Sequence, residues 1–132
     1  MKFKYKRYGN ILRPVIPIKI QSGGHSVSYE VLVDSGADIC IFDGGIGDIL
    51  GLNVEGGERQ SVGGIAGQSA SYYLHDVEIE VGGWPYNIKA GFLRNVAGGF
   101  NYGVVGQRGF FEHFVVKFDF QKAEIELKRK EG

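Results

Sequence analysis

This chain lacks an excess of charge of either sign, because fifteen Lys and Arg balance fifteen Asp and Glu. Nothing global therefore draws it to nucleic acid or to an anionic membrane, and neither is expected as a partner. Cysteine is nearly absent. Cys40 stands alone, which excludes an intrachain disulfide and fits a reducing, cytoplasmic compartment. No apolar run approaches the ~20 residues of a membrane-spanning helix. Near the N-terminus, Pro14, Pro17 and Lys19 interrupt the apolar residues, so no secretory leader is expected. His25, His75 and His113 are widely spaced and lack the spacing of metal ligands, so neither a metal nor another cofactor is expected. Gly44-Gly45-Ile46-Gly47 is not followed by Gly-Lys-Ser/Thr, which argues against a phosphate-binding loop.

Glycine is plentiful, at 22 of 132 residues, with no Gly-X-Y period that would indicate collagen. The glycines punctuate short apolar runs, a pattern of tight turns between strands. Val15–Ile20 alternates as a strand, and Pro17 suggests a sheet edge. Val27–Val33 places Val27, Tyr29, Val31 and Val33 on one face and becomes continuously apolar at its end. Ile39–Phe42 is a further short strand. Ile46, Ile49 and Leu50 then have helical spacing, with Asp43 as N-cap and Gly51 just past the C-terminus. Gly44, Gly45 and Gly47 weaken that helix.

Val77, Ile79 and Val81 alternate with acids, Gly82-Gly83 is a hairpin turn, and Trp84, Tyr86, Ile88, Ala90 and Phe92 share one parity. Residues 94–102 read as a loop. Phe110, Phe111 and Phe114 have the spacing of a short helix. Val116 to Leu127 reads as a hairpin turning at Gln121-Lys122. Lys2, Lys4, Lys6 and Arg7 at one end, and Lys128, Arg129 and Lys130 at the other, read as solvated, charged tails. The expected architecture is one mostly-β domain over 1–132, its core at about 14–127, a closed or sandwich-like barrel carrying one or two short helices.

The chemistry concentrates at Val31-Leu32-Val33-Asp34-Ser35-Gly36-Ala37-Asp38. Asp34 ends an apolar strand, where a carboxylate is costly unless it is paired or functional. Asp-Ser-Gly is also good turn chemistry, and alone it is a weak signal. Two more segments follow in order. Val62-Gly63-Gly64-Ile65-Ala66-Gly67 is a Gly-rich hairpin tip. Val104-Val105-Gly106, followed by Gln107 and Arg108, is a short apolar stretch.

Together the three segments resemble the retropepsin-type aspartic proteases, which are single-domain homodimers. That resemblance implies an acid-protease barrel whose flap is the hairpin at Val62, Gly63, Gly64, Ile65, Ala66 and Gly67. It implies catalysis by Asp34, with Ser35, Gly36, Ala37 and Asp38 supporting the loop, and Val105, Gly106 and Arg108 as structural neighbours. Because the motif occurs once, the second Asp34 must come from a second copy of the chain. Two carboxylates brought so close share one proton. A polypeptide substrate would lie extended beneath the flap, with Ile65, Ile41 and Phe92 as candidate apolar linings. The family usually has Arg directly after the last Gly, pairing with the acid at the place of Asp38. Here Gln107 holds that place, so either Arg108 reaches Asp38 or Gln107 substitutes a neutral hydrogen bond. A non-catalytic peptide-binding or dimerisation module on the same scaffold is the competing expectation.

Overall fold

The computed structural model describes residues 1–63, 69–94 and 103–130. The chain forms strands β1 (Lys2–Lys4), β2 (Lys6–Tyr8), β3 (Ile11–Arg13), β4 (Val15–Ser22), β5 (His25–Val33) and β6 (Ile41–Asp43). Helix α1 (Gly44–Ile49) and a 3-10 turn at Val54–Gly56 follow. Then come β7 (Glu58–Gly63), β8 (Ser69–Val81), β9 (Trp84–Leu93), β10 (Gly103–Val105), β11 (Phe114–Asp119) and β12 (Glu124–Arg129).

The main sheet runs β4-β5-β10-β6-β9-β8-β7, and β4 also pairs with β8. That last pairing closes β4, β5, β10, β6, β9 and β8 into a barrel and leaves β7 outside it, paired among the described residues with β8 alone. The alternation read from the sequence fills the interior. Ile16, Ile18 and Ile20 of β4, Val77, Ile79 and Val81 of β8, and Ile88, Ala90 and Phe92 of β9 are all buried. Gly23-Gly24 and Gly82-Gly83 take positive φ in the two tight hairpins, as two-residue turns with right-handed strand twist require.

Pro17 marks an edge for only half of its strand. β4 pairs with β8 through Lys19–Gln21, past the proline, so the missing N–H costs no ladder bond there. The continuous apolarity of Val31-Leu32-Val33 also has a physical cause. β10 inserts beside it in parallel register, Gly103↔Val31 through Val105↔Val33, and touches β6 at Val104↔Ile41.

Two expectations are corrected. The Phe110–Phe114 segment forms hydrogen-bonded turns rather than a helix. Phe114 N–H donates to the Phe110 carbonyl at 3.1 Å, but Phe114 then enters β11, where Val115-Val116 favours extended backbone. A single helical turn is enough to bury Phe110 and Phe114 with ring centroids 5.0 Å apart.

The ends are not loose tails either. β1 pairs with β12, which pairs with β11, in a three-stranded sheet. Lys4 bonds Glu124 at 2.8 Å, Lys2 lies 3.8 Å from Glu126, and the Arg129 guanidinium stacks 3.6 Å from the Trp84 ring centre.

Helix α1 begins after Asp43, whose side chain makes no capping hydrogen bond, and Gly51 follows it at φ +76°. Its glycines allow close packing. A Cβ on Gly47 would lie 2.6 Å from Val54 Cγ2 and 3.1 Å from Phe92 Cδ1. The helix that looked weak by propensity is thus held by contact with the core.

Candidate active site

Asp34 stands at the mouth of the barrel, at the end of β5 and beside the end of β10. Its N–H donates to the Val105 carbonyl at 3.0 Å, continuing the β5–β10 ladder one residue past the strand. The chain then turns sharply. Ala37 N–H donates to the Asp34 carbonyl at 3.2 Å, and Gly36 N–H donates to Asp34 Oδ1 at 2.8 Å. This is an Asx-type turn, in which the carboxylate is aimed by its own loop. Asp34 is half-buried and makes no ion pair among the described residues. Ser35, Gly36 and Asp38 are exposed and Ala37 is half-buried.

The segment after β10 braces the loop from the other side. Gln107 N–H donates to the Ala37 carbonyl at 2.8 Å, and Arg108 N–H donates to the Asp38 carbonyl at 3.0 Å. Gly106 fits tightly between the strands, since a Cβ there would lie 2.4 Å from the Ala37 carbonyl oxygen and 2.7 Å from that of Ile39. Of the two arrangements expected around Asp38, a neutral hydrogen bond is present, but its acceptor is not Asp38. Gln107 Nε2 donates to the Ser35 carbonyl at 2.6 Å. Arg108 meets Asp38 through backbone alone, and its guanidinium pairs with no acid among the described residues. Gln107, marked by its place directly after Val104-Val105-Gly106 as a source of a neutral hydrogen bond, is therefore a loop-bracing residue whose acceptor is the Ser35 carbonyl.

The hairpin expected as a flap has both arms in place. β7 and β8 pair from Glu58↔Leu74 to Gly63↔Ser69, and Val62 faces Ala70 in that register. Gly64, Ile65, Ala66 and Gly67 lie outside the described residues. Across the arms, Arg59 of β7 donates to Ser71 Oγ of β8 at 3.0 and 3.1 Å. Arg94, at the end of β9, clamps the base of the hairpin. It meets Asp48 of α1 at 2.7 and 2.8 Å and Glu55 of the 3-10 turn at 2.8 and 3.2 Å. Hydrogen bonding to Arg94 holds both carboxyls below the usual carboxylate range.

Of the candidate linings, Ile41 is half-buried, but Phe92 is not available. It is wholly buried, packed edge-on against Phe42 and His75. Parity placed it on the face that looks into the barrel rather than toward a ligand. Cys40 is also fully buried. Burial pushes its thiol up to about 11, and its Sγ donates to the Arg108 carbonyl at 3.4 Å, which suits an inert thiol rather than a nucleophile. A cavity of about 570 Å³ between the β4–β5 turn and the β8–β9 hairpin is lined by Gln21, Asp76, Glu78 and Lys89 among others, and takes in no residue of the Asp34 loop.

No family model and no curated protein matches the sequence. The structure is similar to that of EIAV protease, solved in complex with the inhibitor HBY-793. The TM-score is 0.54 at 18% identity, over 77% of this chain and 88% of that one. At that identity the likeness concerns architecture, and the closed barrel with its Asp34 loop has the fold of a retroviral protease.

Proposed function

We propose that the chain is an aspartic endopeptidase, active as a homodimer in which each copy contributes one Asp34. The observation that supports it is the state of Asp34 itself. It is a half-buried carboxylate with no cationic partner among the described residues, oriented by Gly36 N–H and placed at the end of β5 beside β10, in the fold of a retroviral protease. A carboxylate aimed by its own loop and left without an ion-pair partner among the described residues is a candidate for chemistry.

Two such groups meeting at a two-fold axis would share a proton. The ionised one takes a proton from a water that attacks the scissile carbonyl. The protonated one donates to the oxygen on which charge develops. Proton transfer to the leaving amine then completes hydrolysis. In this reading Ser35, Gly36, Ala37 and Asp38 shape the loop, Val105 and Gly106 back it, and Arg108 supports it through its backbone N–H. The β7–β8 hairpin closes over an extended polypeptide, with Val62, Gly63, Gly64, Ile65, Ala66 and Gly67 toward the substrate. No cofactor is required. A cytoplasmic setting fits the single buried thiol, and no helix among the described residues is long and apolar enough to cross a membrane.

Cleavage of a diverse peptide library from pH 3 to 8 by wild type and by Asp34→Asn tests the proposal. The expected result is cleavage by wild type and its loss in the variant, with folding unchanged. The Gln107–Ser35 bond in place of an Arg–acid pair favours one competing reading, a scaffold kept for peptide binding. Binding of library peptides without Asp34-dependent turnover would establish that reading instead.

A further inference from the structure

The sheet β1-β12-β11 ends at β11, whose outer edge pairs with no strand among the described residues. Apolar surface gathers there. On one face Phe118 is 42% exposed and Phe120, just past the strand, 77%, while Val115, 55% exposed, lies on the opposite face with Lys117 and Asp119. An open edge carrying exposed apolar side chains is a template for another strand.

The other face of the sheet carries charge in rows. Lys2, Glu126 and Lys117 form one row, alternating in sign. Lys4, Glu124 and Asp119 form the next, and here two acids lie directly opposite each other at the edge. Like charges so placed are destabilising. Neither Lys117 nor Asp119 makes an ion pair among the described residues.

We propose that the β11 edge docks a second copy of this chain, antiparallel and centred on Phe118. The inference rests on the homodimer reading above. Strands paired about a two-fold axis must match residues of the same parity, so only a few registers exist. Centring on Lys117 or on Asp119 sets a charge against itself. Centring on Val116 leaves Lys117 opposite Val115. Centring on Phe118 sets Lys117 opposite the partner's Asp119, twice by symmetry. It also sets Phe118 against its own copy and Val116 against the partner's Phe120. The edge acid that faces Glu124 within its own chain then gains a lysine on its open side.

Sedimentation equilibrium on the full chain tests this with Lys117→Asp, Asp119→Lys and their equimolar mixture. Each variant alone replaces two attractive pairs by two repulsive ones, and its dimer Kd rises roughly 30-fold. In the mixture one copy offers two acids and the other two lysines, and association returns to the wild-type level. Variants as tightly dimeric as wild type, a mixture no tighter than its components, or a monomeric wild type would each overturn the interface. Phe118→Cys supplies a second measurement, independent of the charges. The register brings the two thiols together, so mild oxidation yields a covalent dimer while Val115→Cys does not, and equal cross-linking of both also overturns it. Peptide cleavage separates the two ideas. Dimers that obey the charge rule and cleave nothing keep the interface and sink the peptidase. Asp34-dependent cleavage by charge variants whose association is unchanged does the reverse.

Discussion

The side-chain amide of Gln107 holds the carbonyl of Ser35 at 2.6 Å, while its backbone N–H holds that of Ala37 at 2.8 Å. One residue therefore grips the Asp34 loop at two points. The ordinary price of losing a neutral hydrogen bond is about 1 kcal/mol, so Gln107→Ala should cost little stability. Gln107→Glu should be worse than Ala, because it brings a carboxylate against a carbonyl with no donor between them. Urea unfolding checks the order. If the loop positions a reacting carboxylate, both variants lower kcat more than they raise KM. Equal stability of the Ala and Glu variants would show that this bond braces nothing.

Arg94 ties α1 to the 3-10 turn that leads into β7, and its consequence is pH-dependent. Asp48 and Glu55 are both held below their ordinary values by hydrogen bonds from Arg94. A carboxyl with a depressed folded value adds stability above its unfolded value of about 4, and loses it as pH falls through the folded one. Arg94→Met should therefore melt below wild type at neutral pH, and the gap should close in acid. The effect is modest, because both acids are solvent-exposed. Thermal melts between pH 7 and pH 2.5 would show it. A gap that stays constant or widens in acid would mean that the ion pairs are not its source.

The parts of the site that were legible in the sequence are those whose signal is contiguous. Asp34 to Asp38 is one loop after one apolar strand, and Gly82-Gly83 joins two strands that pair from Val81↔Trp84 onward. What was not legible depends on chain segments far apart. Nothing local announces that β1 pairs with β12, although Lys2 and Lys4 alternate as Glu124 and Glu126 do, and those are the residues brought opposite. The Phe110–Phe114 turn was misread because apolar residues at i, i+1 and i+4 describe one turn as well as a helix. Gln107 was legible as a neutral hydrogen-bonding replacement for an ion pair, but no spacing rule indicates that its acceptor is the Ser35 carbonyl.

The glycines of α1 separate two effects that act in opposite directions. Ala in place of Gly inside a helix gains about 1 kcal/mol. At Gly45 a new Cβ would meet Asp43 Oδ2 at 2.9 Å, the far end of a side chain that makes no capping bond and can turn away. Gly45→Ala should therefore stabilise by up to about 1 kcal/mol. At Gly47 the Cβ would press on Val54 and Phe92, both buried and held by neighbours, where overpacking costs about 1–3 kcal/mol. There the clash outweighs the propensity gain, and Gly47→Ala should destabilise. Urea unfolding of the two variants checks the opposite signs. Stabilisation by both would mean that α1 sits more loosely on the core than the contacts of Gly47 indicate.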